Sequence, residues 1–285
     1  MRISHIAAAV LTLVGAQAQA ASVTLAGLAD SEDGFSYDVD ARFSPTDSWS
    51  FGAGLGKSEA ALTGADFSGT SLRLGTDLSV GAFSAGVSLQ QWNDSNQIKS
   101  TGVLGQFGWM TDSGLSISAL VDDRSVKLQY TTTVLGQIRE RTIDFGGTGF
   151  GADVSWFGEQ WTLGARYIDY DYGSDVDRLR AVLNSPNTGR FPRLQLLIAS
   201  VVTRAAGAPD RQFAATLGRQ FARSSLHGDW GMERDALTRT KFNSLSLTHG
   251  YRISPQVQID TTFGFSDGSV DGTVAYGGLA LTLRN

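Results

Sequence analysis

The chain has 285 residues, a formal net charge of -5 and no cysteine. The acidic balance excludes the basic surface expected of a nucleic-acid-binding protein, and the lack of cysteine excludes a disulfide framework. The 34 glycines and only 5 prolines favour a chain of tight turns and strands with an unbroken hydrogen-bond ladder.

The first 20 residues have the pattern of an export signal. Arg2 precedes a short apolar run, and the run leads to an Ala-x-Ala cleavage pattern that ends at Ala20. The run is too short for a transmembrane helix, which needs about 20 apolar residues. The sequence therefore predicts a signal peptide at residues 1–20, cleaved after Ala20, and a single mature domain at residues 21–285.

The mature chain alternates apolar residues with small or charged ones. From Phe35 to Phe43 every second residue is apolar or aromatic, and the residues between them are Ser, Asp, Asp and Arg. Strands of this kind are typical of a transmembrane β-barrel, with the apolar face against lipid and the polar face toward the lumen. A mean hydropathy of -0.08 is then expected, because the two faces cancel in any window.

The alternation and the turn signals predict an all-β, antiparallel transmembrane barrel of about 14 strands. Twelve or sixteen strands remain open if a hairpin has been split or merged. The predicted strands lie at residues 22–29, 34–43, 49–56, 69–78, 83–91, 100–110, 115–130, 143–156, 161–172, 210–221, 224–232, 241–252, 256–266 and 273–284. Tight turns alternate with longer loops along the chain, so we expect short periplasmic turns and long extracellular loops.

Aromatic residues recur at the strand ends beside the tight turns. They are Phe43, Trp49, Phe83, Trp109, Trp156, Trp161, Phe221 and Tyr251. Aromatic side chains are favoured at the boundary between membrane and water. The pattern predicts an aromatic girdle, and the alternative is ordinary core packing next to turns.

The polar face combines glycine and serine with charges of both signs. The charges predicted to line the pore are Asp38, Asp40, Arg42, Arg73, Asp77, Lys127, Asp153, Arg166, Asp229 and Asp260, with Arg284 in the last strand. About 14 strands leave room for a water-filled channel unless something plugs it. These charges either tune ion selectivity or form salt bridges that stiffen the wall, and the sign of selectivity stays open.

A long connection from Gly173 to Asp210 interrupts the regular spacing. It carries a very apolar run at residues 194–202, which should fold onto another part of the protein, and five arginines: Arg178, Arg180, Arg190, Arg193 and Arg204. One hypothesis is a loop that folds into the barrel and forms a constriction, where guanidinium groups meet anionic solutes or lipopolysaccharide phosphates. The other is an additional hairpin above the membrane with solvated arginines.

Catalytic chemistry finds little support in the sequence. His227, Asp229 and Glu233 fall on one face of a predicted strand together with Ser225. Two side chains two residues apart on a strand point the same way, so His227 and Asp229 do not meet head to tail as a catalytic pair must. We therefore expect no enzymatic activity, no cofactor and no metal site.

The opening of the first strand, from Ser22 to Gly27, resembles the first strand of porins, and the mature chain as a whole resembles Gram-negative outer-membrane β-barrel proteins. The end of the chain differs from that class, because Asn285 stands where a terminal aromatic residue is common, and general porins are longer. The resemblance implies contact with outer-membrane lipids and lipopolysaccharide, and folding by the outer-membrane assembly machinery. It leaves open whether the chain forms a homo-oligomer.

The predicted function is an outer-membrane, porin-like channel for passive diffusion of small hydrophilic solutes or ions. The alternative is a closed structural or surface-interaction barrel with no open pore. An open lumen separates the two, because only the channel requires one.

Overall fold

A computed structural model gives the conformation of most of the mature chain. It describes residues 20–31, 33–62, 65–94, 98–134, 137–174, 176–177, 208–236, 239–268 and 272–285. Residues 1–19 of the predicted signal peptide lie outside these ranges. Cleavage of the signal peptide after Ala20 therefore stays a prediction. Within the described ranges, no helix is both long enough and apolar enough to cross a membrane.

Fourteen strands make up most of the described chain. They are β1 (Ala20–Asp30), β2 (Phe35–Ser44), β3 (Trp49–Leu62), β4 (Ala65–Val80), β5 (Phe83–Asp94), β6 (Ile98–Met110), β7 (Leu115–Val134), β8 (Gln137–Phe157), β9 (Trp161–Asp171), β10 (Pro209–Gln220), β11 (Ser224–Asp235), β12 (Lys241–Ser254), β13 (Val257–Gly268) and β14 (Gly272–Arg284). Each strand pairs with its neighbours in sequence, and β1 pairs with β14 to close the barrel. The predicted fold class, with its 14 antiparallel strands, is confirmed.

The seam between the first and last strands is a full antiparallel ladder. Its pairs run from Ser22 opposite Arg284 to Asp30 opposite Tyr276. The hydroxyl oxygens of Thr24 and Thr282 lie 2.9 Å apart across the seam. Closure matters because an unpaired strand edge cannot satisfy its backbone polar groups in lipid.

The connections fall at two ends of the barrel. One end, here called the turn end, holds the tight turns at 45–48, 81–82, 111–114, 158–160, 221–223 and 255–256. The opposite end, here called the loop end, holds the remaining connections. The outer termini of β1 and β14 both lie at the turn end, as an even strand number requires.

Two hairpins run further toward the loop end than predicted. β3 and β4 pair up to Leu62 opposite Ala65, and β7 and β8 pair up to Val134 opposite Gln137. The predicted strands end before these stretches. Residues 131–134 are all β-branched, which favours the extended chain even where the apolar alternation has ended.

The outer face is a continuous apolar surface. Phe263, Phe150 and Leu279 each keep more than 60% of their surface exposed. Aromatic side chains form a turn-end row of Trp49, Phe83, Trp109, Trp156, Trp161, Phe221 and Tyr251, and a loop-end row of Phe35, Tyr37, Phe150, Tyr167, Trp230, Phe263 and Phe265. An exposed apolar surface of this extent is typical of a face that contacts lipid.

The two aromatic rows bound an apolar band that is shorter along β9 than the roughly 25 Å typical of outer-membrane barrels. Along β9, Trp161 and Tyr167 are separated by roughly 15 Å in the direction of the barrel axis, at about 3.3 Å per residue and a tilt of about 40°. In the turn-end row the Arg219 guanidinium carbon lies 4.8 Å from the Trp161 ring centroid and 5.0 Å from that of Phe221. The Arg219 guanidinium thus lies against two aromatic rings, a pairing of charged and apolar groups that is favoured at a membrane–water interface.

Candidate functional site

The inner face of the barrel is the candidate site, because most predicted pore-lining charges project from it. Those on the inner face are Asp38, Asp40, Arg42, Arg73, Asp77, Asp153, Arg166, Asp229, Asp260 and Arg284, each between outward-facing neighbours on its strand. These side chains alternate with exposed apolar ones, as the pleat of a strand dictates.

Lys127 is the exception, and its predicted place in the lumen is wrong. It lies on the same face of β7 as Ile117 and Val121, which are exposed on the outside of the barrel. Its Nζ lies 3.7 Å from Asp144 Oδ2 on β8, and both side chains are more than half exposed. The pairing of β7 is continuous over this stretch, so side-chain parity is kept and the buried Val126 takes the inner position.

Arg73 binds two carboxylates on the wall formed by β2, β3 and β4. Its Nη2 donates to Asp38 Oδ1 at 2.8 Å and to Asp40 Oδ2 at 3.0 Å. Gly54 and Gly56 lie between them on β3, and a Cβ at either position would fall within 2.3 Å of one of these carboxylate oxygens. The glycines therefore provide the space in which the ion pairs form.

A second ion pair lies nearer the turn end on the same wall. Arg42 Nη2 lies 3.1 Å from Asp77 Oδ2, and Ser50 Oγ donates to the same oxygen at 3.3 Å. The side chains of Arg42 and Asp77 are 64% and 56% exposed although they point into a closed barrel. A cavity of about 410 Å³ opens beside them, so this part of the lumen has room for solvent.

The wall formed by β8 to β11 carries a third pair and an isolated carboxylate. Arg166 Nε donates to Asp153 Oδ2 at 3.1 Å, and Ser155 Oγ donates to Asp153 Oδ1 at 2.9 Å. Asp229 on β11 accepts a hydrogen bond from Thr216 Oγ1 at 2.8 Å. The positive charge of Arg166 is therefore balanced by a carboxylate within the wall, whereas the hydrogen-bond partner of Asp229 is the neutral Thr216.

Asp260 on β13 has a similar environment. Gln258 Nε2 donates to Asp260 Oδ1 at 2.6 Å, and Arg284 Nη2 donates to Gln258 Oε1 at 3.0 Å. The amide thus lies between the carboxylate and the guanidinium. Among the described residues, neither Asp229 nor Asp260 makes an ion pair within 4.0 Å.

A polar cluster toward the loop end was not predicted. Arg124 Nε donates to Asp122 Oδ2 at 2.8 Å, and the Tyr170 hydroxyl lies 2.6 Å from the same oxygen. The Tyr170 hydroxyl is also 3.1 Å from Gln212 Oε1, and Gln212 Nε2 donates to Glu233 Oε2 at 3.0 Å. The signal that could have found it is strand parity, which puts Asp122 and Arg124 on one face of β7.

Apolar side chains narrow the lumen beside this polar cluster. Tyr172 stacks on Tyr170 with ring centroids 6.1 Å apart, and Phe145 meets Tyr172 edge-on at the same distance. Val126 and Leu120 are almost completely buried although they occupy inner-face positions. Burial raises the pKa of the Tyr172 phenol well above its ordinary value.

A cavity of about 560 Å³ reaches across the lumen at this level. It is lined by Gln90 on β5, Arg166 on β9, Glu233 on β11, Phe242 on β12 and Ser266 on β13, among others. Strands from opposite sides of the barrel therefore share one open space. Its size lies within the range of small-molecule sites.

The residues considered for catalysis share a strand face but do not form a catalytic pair. Asp229 bonds to Thr216 and Glu233 to Gln212, both on β10. In the described part of the chain, neither carboxylate is hydrogen-bonded to His227.

The five arginines of the long connection lie outside the described residues. Its described ends are packed: Tyr172 and Val176 at the start and Ala208 at the finish are each at most 8% exposed. Both ends of the connection therefore leave from buried positions.

Among the comparisons with known proteins, only the one with solved structures bears on the fold. No protein-family model matches the sequence, and no curated protein matches it. Among solved structures, the barrel is similar to outer-membrane-expressed OmpT of Vibrio cholerae, with a TM-score of 0.51 and 9% identity over 93% of this chain and 96% of that one. The loop L8 deletion mutant of the same OmpT gives a TM-score of 0.50 and 10% identity over 93% and 98% of the two chains.

A third similar structure is the CymD monoaromatic hydrocarbon channel, with a TM-score of 0.48 and 10% identity over 100% of this chain and 92% of that one. By its closed antiparallel barrel and its likeness to the two OmpT structures, the chain has the fold of outer-membrane β-barrels, and at such low identity the likeness concerns the fold alone.

Proposed function

We propose that the protein is a passive channel of a Gram-negative outer membrane, through which small hydrophilic solutes or ions diffuse. One observation carries the proposal: the charged inner-wall side chains of Arg42 and Asp77 remain more than half exposed in a closed barrel. Exposure inside a closed wall means that the turn-end part of the lumen has space for water. A barrel of 14 strands is wide enough for such a space.

The wall suits diffusion without chemistry. Serine, glycine and compensated ion pairs such as Arg166 with Asp153 let a solute exchange hydrogen bonds with water for similar bonds with the wall. We propose no catalytic step and no cofactor for this lumen. The outer face would contact outer-membrane lipids, and its ion pair between Asp169 and Arg211, on the loop-end side of Tyr167, would lie near the lipopolysaccharide head groups.

A closed structural or surface-interaction barrel is the second candidate. The burial of Leu120, Val126 and Phe145 on the inner face, at most 3% exposed each, favours it on the β7–β8 side of the lumen. The two candidates differ in one property, which is flux through the purified protein.

Flux into proteoliposomes tests the channel. Liposomes containing the refolded chain should take up neutral sugars at rates that fall with solute size. Uptake no faster than in empty liposomes, from protein with the gel mobility of a folded barrel, would contradict the channel.

A bulky side chain in the lumen should slow this flux. Ser88 lines the cavity of about 410 Å³, whereas its neighbour Val87 is 53% exposed on the outside. We expect Ser88→Trp to reduce uptake of the largest permeant sugar by about half and Val87→Trp to leave it unchanged, because a tryptophan occupies a large fraction of such a cavity. Equal uptake by the two variants would show that solutes do not pass Ser88.

Removal of the long connection tests whether it narrows the channel. Its described ends leave from buried positions at Val176 and Ala208, and residues 178–207 lie outside the described part of the chain. If the connection constricts the lumen, a variant with residues 178–207 replaced by a short Gly-Ser linker should conduct more than the full chain. Unchanged single-channel conductance would instead favour the solvated hairpin.

A further inference from the structure

We propose that the channel prefers cations, and that Asp229 and Asp260 are the residues that set this preference. The inference rests on the proposed function, since ion preference has meaning only for an open lumen. It concerns the electrostatic potential of the wall and requires no bound ion. The sequence alone left the sign of selectivity open, because it does not sort charges between the two faces.

The barrel sorts its charges by face. All four lysines, Lys57, Lys99, Lys127 and Lys241, lie on the outer face. The carboxylates on the inner face are Asp30, Asp38, Asp40, Asp77, Asp94, Asp122, Asp153, Asp229, Glu233, Asp235 and Asp260. The inner-face cations whose side chains the structure describes are Arg42, Arg73, Arg124, Arg166, Arg252 and Arg284. Carboxylates therefore outnumber guanidinium groups on the described lumen wall.

Two of these carboxylates have neutral partners instead of a guanidinium group. Arg73 compensates the β2 carboxylates, Arg42 compensates Asp77, and Arg166 compensates Asp153. Asp229 and Asp260, on the two strands that flank β12, are held instead by the neutral groups of Thr216 and Gln258. A neutral donor orients a carboxylate and leaves its charge in place.

These two charges act on ions in the lumen. Ions that pass within about 8 Å, one Debye length at physiological salt, feel an attractive or repulsive potential from each carboxylate. Carboxylates in pore walls favour cations in this way. The preference must weaken at high ionic strength, because the same charges are then screened over a shorter distance.

The test is the reversal potential in a planar bilayer under a KCl gradient. We expect wild-type protein to pass potassium in preference to chloride, and the double variant Asp229→Asn, Asp260→Asn to lower the permeability ratio about threefold, the size expected for two screened charges. Asparagine keeps the shape and can still accept the bonds from Thr216 and Gln258.

A matched control moves the same charge change to the outer face. Asp123 on β7 accepts a bond from Thr148 on the adjacent strand, as Asp229 does from Thr216, and Asp267 lies outward on the same strand as Asp260. Asp123→Asn, Asp267→Asn should leave the ratio unchanged.

Three results of the reversal-potential measurement would overturn the inference. They are a preference for chloride in the wild type, no change in the lumen variant, and an equal change in the control. A wild-type preference that does not fall between 0.1 and 1 M salt would also overturn it, and this measurement needs no variant. Conductance steps without a cation preference would contradict this inference but not the channel. If folded protein gives no conductance steps at all, the channel itself is contradicted.

Discussion

Replacing Leu217 with arginine is expected to lower the free energy of unfolding in lipid by about 2–4 kcal/mol, the cost of a charge on the lipid face near the bilayer midplane. Leu217 is 50% exposed on the outer face of β10. It lies midway between Phe221 of the turn-end aromatic row and Phe213, which pairs with Tyr167 of the loop-end row. In a water-soluble β-protein the same change at an exposed position would be worth less than about 0.5 kcal/mol.

Thr216→Arg is the matched control, because it puts the same charge one residue away on the inner face. Thr216 pairs across the strands with Asp229, so the new guanidinium would meet a carboxylate in an aqueous lumen. We expect little change in stability. Urea unfolding of both variants in lipid vesicles measures the difference, and equal stabilities would contradict the assignment of the outer face to lipid.

Gly151→Ala is expected to destabilise the barrel by about 1–3 kcal/mol, as overpacking of a tight contact does. β8 and β9 approach closely here: a Cβ on Gly151 would lie 2.1 Å from the Tyr167 carbonyl oxygen and 2.8 Å from Ile168 Cγ1. The backbone oxygen belongs to the hydrogen-bonded wall and cannot rotate away. The strain should therefore appear as a lower refolding yield and a lower unfolding midpoint.

Gly164→Ala provides the comparison on the next strand. A Cβ there would meet Ser155 Oγ at 3.4 Å and Thr216 Cβ at 3.8 Å, which are ordinary contacts. Alanine should be tolerated or slightly stabilising, because it reduces the freedom of the unfolded chain. If both variants unfold at the same denaturant concentration, the close contact between Gly151 on β8 and the backbone of β9 is contradicted.

The fold was predictable because the membrane imposes a simple pattern on the sequence. Within the apolar band each outward position must be apolar, so alternation such as that from Phe35 to Phe43 marks both the strand and its faces. Tight turns with Gly, Pro, Ser and Asp then mark the strand ends at the turn end. These local signals are enough for class, strand count and most inner-face charges.

The same signal fades where strands leave the band. Beyond Val121 on β7, charges occur on both faces, with Asp122 and Arg124 inward and Asp123 and Lys127 outward. Alternation no longer separates the faces there, so only counting from the apolar part of the strand assigns Lys127 correctly. The extension of two hairpins toward the loop end was missed for the same reason.

The polar cluster at the loop end could not be read from local pattern. It joins Asp122, Tyr170 and Gln212 from three different strands, and its formation depends on how far the strands are staggered around the barrel. The composition of a single strand does not determine that stagger. The burial of inner-face Leu120 and Val126 is likewise a property of the assembled lumen.

Single-channel recording tests the central claim most directly. The mature chain would be refolded in detergent, checked for the heat-dependent gel mobility of a folded barrel, and added to a planar bilayer in 1 M KCl. An open lumen predicts steady, uniform conductance steps. Correctly folded protein that inserts into the bilayer and remains silent would contradict the channel and favour the closed barrel.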